Sequence, residues 1–468
     1  MTVAHDDKRG RRALQLAAVA VATWVFSLNR IMVIVALPSI AHGLGLGRLA
    51  AHWAISVYAL ALASLGVLGG RLGGTIGQLR TFQLGMGLFT LGTVGCALVP
   101  PGGSAAAFLI GFRGVQGVGA AFALPVMLAL ATGAFELKFR GRGLAMLAAV
   151  SQLASVVGPL AGGALTQSLG WRYVFALGIP TAAAALLLAV VCGSTPLVST
   201  SPPINWGHVV MMVGGLSLIV LGLQQRAAWG LVSWKTLGTI TAGLTVTALF
   251  CRAMLRARQP LVNLQLLAYQ EFTVEASLLF GVQFGVFAVF VESSLYFQEV
   301  MQLRPMQAGM AQLPLILGLT VGAQSSGYML DRLGGPRLPV TYGLFSATAG
   351  VILWKIALQN SSAYGWQIPG LILVGMGAGV QSSIRADAMS AVPPELRSDA
   401  SGLLLFAGRF GQSLGVAAVG AVVVAHRQLA GRTVLIDAPA VSVSLIVSAV
   451  VLGISSIAAM VFLRRDRA

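Results

Sequence analysis

The fold of this chain is decided by a short segment that occurs twice, GRLGGTIGQLR at residues 70–80 and GYMLDRLGGPR at residues 327–337. Each copy lies between two long hydrophobic runs, and the copies are 257 positions apart. The same offset relates Arg140 to Arg397 and Gly158 to Gly415, so the duplication extends beyond one loop. Duplicated helical bundles in membranes are mostly transporters, because two similar halves that rock about a site at the midplane give alternating access.

The composition is that of a membrane protein. Hydrophobic residues make up 57% of the chain and charged residues 9%, whereas a soluble domain carries about 25% charged residues. This excludes a soluble enzyme. The formal charge of +17 does not indicate nucleic-acid binding, because the basic residues lie in short clusters between apolar segments, as expected of cytoplasmic loops. The cysteines lack a metal-like spacing and no Gly-x-x-x-x-Gly-Lys loop occurs, so we expect no cofactor and no ATP drive.

Fourteen hydrophobic runs are long enough to cross the hydrocarbon core as helices, which takes about 20 residues each. They lie at 14–40, 51–72, 81–100, 104–132, 143–166, 171–193, 206–224, 235–251, 272–297, 307–329, 338–357, 366–389, 399–425 and 441–463. With both termini in the cytoplasm, 19 Lys and Arg residues, Arg385 among them, belong to the inner side and seven to the outer side. Because cytoplasmic loops carry the excess of basic residues, the sequence predicts this orientation.

The duplication sets the organisation of the chain. The first six runs and their copies leave two extra runs between them, at 206–224 and 235–251. The predicted organisation is therefore six plus two plus six. It comprises an N-terminal six-helix bundle at 1–193, a linker with an inserted two-helix hairpin at 194–258, and a C-terminal six-helix bundle at 259–468.

Further motifs follow one another along these runs. They are Leu28 to Pro38 in the first run, Arg113-Gly-Val-Gln116-Gly117 in the fourth, Gly158-Pro159-Leu-Ala-Gly162-Gly163 in the fifth, and Gly327 to Gly334 in the second copy of the duplicated loop. Together they resemble the motifs of the fourteen-helix drug:proton antiporter branch of the major facilitator superfamily, over nearly the whole chain. The resemblance implies an all-α membrane protein of the major facilitator fold. It also implies a monomer that exports amphipathic small molecules, such as drugs or antibiotics, in exchange for protons across a bacterial cytoplasmic membrane.

In the family, the duplicated loop is a cytoplasmic gate. Its glycines allow a tight turn, and Asp331 can meet a helix N-terminus or a basic residue of the other half. A plain solvated turn is the alternative. The first copy has Gly74-Thr75 in place of the charged pair, so its gate should be weaker or built from other residues. The gate positions in this chain are Gly70, Gly77, Asp331, Arg332 and Gly334.

The fifth run carries the motif that marks exporters in the superfamily. Gly158, Gly162 and Gly163 present a smooth face to a partner helix, and Pro159 bends the helix. Generic packing of small residues is the alternative interpretation.

Two arginines lie deep in the first half. Arg113 is about 12 Å from the outer end of its run and Arg30 about 15 Å, and a guanidinium at such depth is costly unless it faces a polar cavity or an acid. The family normally has an acid at the position of Asn29. Here an amide replaces that acid, and the two cations Arg30 and Arg113 at similar depth favour an anionic or strongly hydrogen-bonding ligand over an organic cation. The alternatives are that Arg113 reaches the headgroups and that Arg30 pairs with an acid for packing alone.

Proton coupling is assigned to Glu292, Arg113 and Asp387. Burial favours the protonated form of a carboxyl group and a nearby arginine favours the ionised form, so an arginine that approaches and withdraws couples protonation to the cycle. Glu292 in the ninth run is the best candidate for the titrating group, and Glu275 lies one turn inside the other end of that run. The alternative is that Glu292 is a rim residue in contact with water.

Polar and aromatic side chains are predicted to form the walls of a central substrate cavity. The alternative is that the aromatic residues among them, which recur at helical spacing, pack against other helices or face lipid. The predicted substrate-binding residues are Asn29, Arg30, Gln116, Tyr58, Trp53, Gln283 and Phe287. Three rival functions remain open: transport of a lipid or anionic metabolite by the same fold, uptake instead of export, and a membrane sensor that transports nothing.

Overall fold

The computed structural model describes residues 2–133, 140–193, 204–230, 233–333, 335–359, 363–393, 396–429 and 438–463. Within these ranges the chain is helical and contains no strand, so the predicted all-α class is confirmed. Gly334 of the gate loop and residues 194–203 of the predicted linker lie outside the described residues.

Seventeen α-helices form the described part of the chain. The first nine are α1 (Thr2–Leu44), α2 (Arg48–Thr75), α3 (Gln78–Ala97), α4 (Ala105–Gly133), α5 (Arg140–Ser168), α6 (Arg172–Ala176), α7 (Gly178–Val191), α8 (Trp206–Trp229) and α9 (Trp234–Arg256). A 3-10 helix (Leu264–Ala268) leads to α10 (Gln270–Leu295), which continues as a π-helix (Tyr296–Val300). The remaining helices are α11 (Pro305–Ala311), α12 (Leu313–Leu333), α13 (Arg337–Gln359), α14 (Tyr364–Gly379), α15 (Gln381–Ser390), α16 (Arg397–Leu429) and α17 (Ala438–Phe462).

Twelve helical segments in these ranges are long and apolar enough to span a membrane. The predicted runs at 81–100 and 366–389 fold as helices but are not among the twelve. Helix α3 carries Gln78, Arg80 and Gln83 in its first turns, which lowers its hydropathy. The run at 366–389 is divided at Val380 into α14, which has 16 residues, and α15. The run at 171–193 is divided in the same way, into α6 and α7.

The helices pack as two groups. Helices α1 to α5 and α7 contact one another, as do α10, α12 to α14, α16 and α17. Neighbouring helices approach closely where glycine removes the side chain: a Cβ on Gly119 of α4 would lie 2.4 Å from the backbone nitrogen of Phe89 in α3. Only glycine permits such contact between two backbones.

Helices α8 and α9 form a pair between the two groups in sequence. They pack tightly on each other, and a Cβ on Gly215 of α8 would lie 2.6 Å from Oγ1 of Thr247 in α9. Helix α8 also contacts α2 of the first group and α16 of the second. The pair therefore lies against the junction of the two groups.

The two groups meet mainly through α2 and α16, α5 and α11, and α1 and α10. We call the end of the bundle at which α1 begins the terminal end, and the end at which α1 ends and α2 begins the distal end. In the distal half, the Gln298 amide donates to the carbonyl of Val35 at 2.7 Å, and the Ser294 hydroxyl donates to that of Ile34 at 3.0 Å. Helices α5 and α11 also meet there, so the two groups are closed against each other in the distal half.

Candidate functional site

Arg113 of α4 is buried and makes its contacts with neutral groups. Its Nε donates to the carbonyl of Ala54 at 3.0 Å. One terminal nitrogen donates to Oδ1 of Asn29 at 3.2 Å and to Oε1 of Gln116 at 2.7 Å. The guanidinium lies 4.6 Å from the ring centroid of Tyr58, within reach of a cation–π interaction. Four predicted residues are thus brought together, and the arginine is held by protein groups rather than by headgroups.

The network extends to α3, where the Gln116 amide donates to the Thr93 hydroxyl at 2.8 Å. Asn29 supplies an uncharged acceptor at the position where the family has an acid, and no carboxylate among the described residues contacts Arg113. Nδ2 of Asn29 is buried without a hydrogen-bond partner among the described residues. This cluster links α1, α2, α3 and α4 and belongs wholly to the first group of helices.

A second cluster contains three arginines from both groups: Arg30 of α1, Arg385 of α15 and Arg409 of α16. Arg30 and Arg409 interact electrostatically with each other and with Tyr58, and Arg385 interacts with both of them. All three side chains remain partly exposed. The sequence predicts that Arg385 belongs to the basic residues of the inner side. The structure instead places it beside Arg30 and Arg409, which lie within long helices.

The arginine cluster is surrounded by amides and aromatic rings. The Arg30 guanidinium carbon lies 5.9 Å from the ring centroid of Phe287. Arg409 donates to Oε1 of Gln412 at 2.9 Å, and Arg385 donates to Oε1 of Gln381 at 3.4 Å. The Gln283 amide, a predicted binding group, donates to the same Gln381 oxygen at 3.3 Å. In the described part of the chain, no carboxylate contacts Arg30, Arg385 or Arg409.

Glu292 lies apart from both clusters and faces His52. The distance from Nε2 of His52 to Oε1 of Glu292 is 3.4 Å, and the two side chains are 3% and 1% exposed. His52 lies on α2 and Glu292 on α10, so the pair crosses the junction of the two groups. Its burial places Glu292 away from a solvated rim. Nδ1 of the imidazole lies close to Gly420 of α16, where a Cβ would be 2.3 Å from it.

A small pocket adjoins this pair. Its lining includes His52, Gly420 and Gln224, the last from the inserted helix α8. Gln224 is 2% exposed, and both polar atoms of its side chain have no hydrogen-bond partner in the described part of the chain. A buried amide without partners is costly, so the pocket is a polar site in an otherwise apolar junction.

Glu275 and Asp387 form a second acidic feature, near the terminal end. Glu275 of α10 is fully buried, and its carboxyl group interacts electrostatically with that of Asp387 in α15. The structure thus pairs Asp387 with Glu275 and keeps both away from Arg113.

The remaining predicted residues lie elsewhere. Trp53 is partly buried in the main hydrophobic core. Asp331 and Arg332 are exposed, and Arg332 lies 4.4 Å from the ring centroid of Tyr328 in its own helix. Asp331 has no ion pair with any described residue.

The first copy of the gate loop contacts the second part of the chain. Arg71 donates to the carbonyl of Pro260 and interacts electrostatically with Asp399, both in the second part of the chain. Gly77 precedes α3 with a φ of 95°, a backbone conformation that favours glycine. Gly70 is less constrained, because a Cβ there would make only an ordinary contact with Pro125.

The glycine motif of α5 faces two different partners. Gly158 and Gly162 pack on Ile31 and Met32 of α1, within the first group. Gly163 packs on the start of α11, where a Cβ would lie 2.5 Å from the carbonyl oxygen of Pro305. Pro159 lies within α5, and its carbonyl oxygen would be 2.3 Å from a Cβ on Gly309 of α11.

Sequence reasoning missed His52, Gln224 and the position of Arg385. A signal existed for His52, because a histidine within a hydrophobic run is a functional candidate by default. For Gln224 and Arg385 the decisive fact is which helix lies opposite, and no pattern within a run carries that information.

Comparisons with known proteins agree on one family. The sequence model of the Major Facilitator Superfamily matches residues 19–416. The tetracenomycin C resistance and export protein of Streptomyces glaucescens is 30% identical over 89% of this chain and 78% of its own length. The multidrug resistance protein Stp of Mycobacterium tuberculosis is 27% identical, over 88% of this chain and 76% of its own.

Solved structures share the fold at low sequence identity. A peptide transporter of the POT type in complex with sulfate is 17% identical, with a TM-score of 0.66 over 96% of this chain and 95% of that protein. A bacterial homologue of the human lysosomal transporter Spinster, in an inward-facing and unoccupied conformation, is 16% identical, with a TM-score of 0.65 over 98% and 99% of the two chains.

Proposed function

Because this chain belongs to the major facilitator superfamily, and is therefore a multi-pass membrane transporter and not an enzyme, we propose that it is a proton-coupled secondary exporter of amphipathic small molecules. Relatives named for antibiotic resistance and export support the direction of transport. The glycine motif of α5, which marks exporters in the superfamily, supports it independently. The cargo would be a drug-like or antibiotic-like compound, and the membrane a bacterial cytoplasmic membrane.

We further propose a fourteen-span topology with a six plus two plus six organisation and both termini in the cytoplasm. Helix α3 and the divided pair α14 and α15 would then cross the membrane with the twelve segments that meet the length and hydropathy criterion. The excess of basic residues at the terminal end supports this orientation. The distal end then faces outward, and the contacts between α1 and α10 close the outer side.

The pair of His52 and Glu292 is the observation that carries the proton coupling. It is buried, it crosses the junction between the two groups, and it lies in the half that would face outward. When the outer side opens, Glu292 separates from His52 and meets the outer solution, where it takes up a proton. When the outer side closes, the imidazole again favours the ionised carboxylate and the proton leaves inward.

Substrate binding would supply the free energy that separates the pair. A ligand shifts a conformational equilibrium only by its differential affinity for the two states. A cargo molecule that bridges side chains of both groups therefore favours one arrangement of the halves. Its release to the outside leaves the carrier open to protonation, which completes an antiport cycle.

Everted membrane vesicles test this proposal, because their cytoplasmic face is turned outward. Three probes with one fluorophore cover the charge classes: dansylglycine as the anion, dansylglycinamide as the neutral compound and dansylcadaverine as the cation. With the vesicle lumen made acidic, we expect at least one probe to accumulate, and nigericin to abolish the accumulation. Vesicles without the protein are the control. No gradient-dependent flux of any probe, or flux in the opposite direction, would contradict the proposal.

A further inference from the structure

The three arginines between the two groups of helices lack counter-ions. Arg30, Arg385 and Arg409 interact with one another as like charges. Their protein partners are neutral, namely Gln381, Gln412 and the ring of Phe287. A guanidinium in the membrane interior is costly and normally pairs with an acid or faces a polar cavity. Three such groups without a carboxylate among the described residues leave a positive site that is electrostatically incomplete.

Arg113 shows what an arginine with hydrogen-bonded donors looks like in the same molecule. It is 2% exposed, and its donors reach a carbonyl and two side-chain oxygens. Arg409 differs, because its Nε is buried without a partner and Nε2 of Gln412 beside it is also unsatisfied in the described part of the chain. Among the described residues, Arg30 contacts the ring of Phe287 and no hydrogen-bond acceptor. These groups present unused donors, as expected of a site that receives a ligand.

The depth of the cluster fits a central binding site. Arg30 lies about 21 Å from the distal end of α1, and Arg409 about 18 Å from the start of α16, at 1.5 Å per residue. Arg30 belongs to the first group of helices and the other two arginines to the second. A single bound group could therefore contact both halves, as alternating access requires.

Aromatic rings adjoin the arginines and would accept an apolar body. Phe406 and Phe410 of α16 are stacked with ring centroids 5.6 Å apart, and Phe280 of α10 lies 6.1 Å from Phe410. All three rings are partly exposed, like the arginines. Phe410 is adjacent to Arg409 in the chain, and Phe287 lies against Arg30. The walls are thus cationic and aromatic, and no carboxylate among the described residues contacts the three arginines.

We propose that Arg30, Arg385 and Arg409 bind the anionic group of an amphipathic cargo, a carboxylate, sulfonate or phosphate, while its apolar body lies against Phe287, Phe406 and Phe410. This inference rests on the proposed transport function and narrows its substrate class. The anion accepts charge-assisted hydrogen bonds from the unused donors of the arginines, and its negative charge reduces the repulsion among the three cations.

Equilibrium binding to the purified full-length protein in phosphatidylcholine nanodiscs tests the proposal. We expect dansylglycine to bind about tenfold more tightly than dansylglycinamide and dansylcadaverine, as charge-assisted contacts would give. Arg30→Gln and Arg409→Gln should each remove most of this preference, and Arg409→Lys should retain part of it. Arg252→Gln, at an exposed arginine of α9, is the matched control and should keep the preference.

Equal affinity for the three probes, or an equal loss of all three in the arginine variants, would overturn the proposal. If a variant does not fold, competition in the wild type decides: naphthalene-2-sulfonate should displace dansylglycine, and no displacement would overturn the site. Nanodiscs that contain phosphatidylglycerol separate two sources of the anion. Weaker probe binding there identifies a lipid headgroup as a ligand, and unchanged binding identifies free amphipathic anions; either result supports the site.

A failure of the proposed anion site can be distinguished from a failure of the export function, because the binding assay uses no gradient. If vesicles accumulate only dansylcadaverine and the nanodiscs show no preference for dansylglycine, the anion site is wrong and the exporter stands. If dansylglycine binds selectively but no probe crosses the vesicle membrane, the site stands and the export proposal fails.

Discussion

Nε2 of His52 lies 3.4 Å from Oε1 of Glu292, and the two residues come from different groups of helices. Both side chains are buried, so water screens their interaction little. In the proposed cycle, opening of the distal half would separate the two side chains and expose the Glu292 carboxyl group to the outer solution. The proposed cycle therefore links the protonation of Glu292 to the closure of the distal half.

Glu292→Gln should abolish proton-driven accumulation in everted vesicles and leave probe binding in nanodiscs within about twofold of wild type, because the amide keeps the shape but cannot carry a proton. His52→Gln should weaken the pH dependence of transport and leave some flux, since Glu292 can still titrate. Unchanged gradient-driven transport by Glu292→Gln would show that the proton site lies elsewhere. Glu275 with Asp387 would then be the next pair to test.

Gly420→Ala should displace His52 from Glu292. The added methyl group would lie 2.3 Å from Nδ1 of the imidazole, and the ring fits between Gly420 and the carboxylate. Overpacking of this kind costs about 1–3 kcal/mol, which thermal unfolding in detergent would report. Gly214→Ala is the matched control, because a Cβ there meets nothing within 4 Å. Equal thermal stability of Gly420→Ala and wild type would contradict the observed packing.

Much of the fold follows from the sequence, because crossing a bilayer demands a long apolar run whatever lies beside it. The all-α class and the family are predicted correctly. Breaks such as those before Gly178 and at Val380 are not, since a helix can break within an apolar run. The number of spans and the orientation stay predictions.

The candidate site is predicted only in part. Asn29, Arg113 and Gln116 stand out because polar groups deep in apolar runs require partners. Their actual contacts depend on helix packing, as does the position of Arg385, which lies too near the end of its run to signal burial. Gln224 gives no signal at all, because polar residues such as Gln224, Gln225 and Arg226 are common near a helix end. The site roles of the predicted residues stay predictions until transport is measured.

Asn29→Asp should stabilise the protein by about 1 kcal/mol, because a hydrogen bond to a charged acceptor is worth more than one to an amide. The new carboxylate would face a terminal nitrogen of Arg113, which now lies 3.2 Å from Oδ1 of Asn29. The substitution also removes an amide nitrogen that lacks a partner among the described residues. A double-mutant cycle with Arg113→Gln is the control. A gain that persists without Arg113 would refute the assigned contact.

Gly309→Ala should open the distal half. Its Cβ would lie 2.3 Å from the carbonyl oxygen of Pro159, so α11 and α5 could not keep their present distance. Spin labels at Ser168 and Gln302, both exposed, would measure the distance between the groups in a background without the native cysteines. We expect the population with the longer distance to grow. Gly111→Ala, where a Cβ meets nothing within 4 Å, should leave the distribution as in wild type.

Arg71→Ala should have the opposite effect, at the terminal end. Arg71 is the gate residue that bridges the two groups there, through the carbonyl of Pro260 and the charge of Asp399. Loss of one such partly exposed contact is worth about 1 kcal/mol, which shifts a two-state equilibrium about fivefold. The same distal labels should then report a larger population with the short distance, because opening of one end accompanies closure of the other. Because Asp331 is exposed, we expect Asp331→Asn, a change to the charged pair in the second copy of the loop, to move the equilibrium less. A larger shift from Asp331→Asn than from Arg71→Ala would show that the charged pair of the second copy, and not Arg71, controls opening of the terminal end.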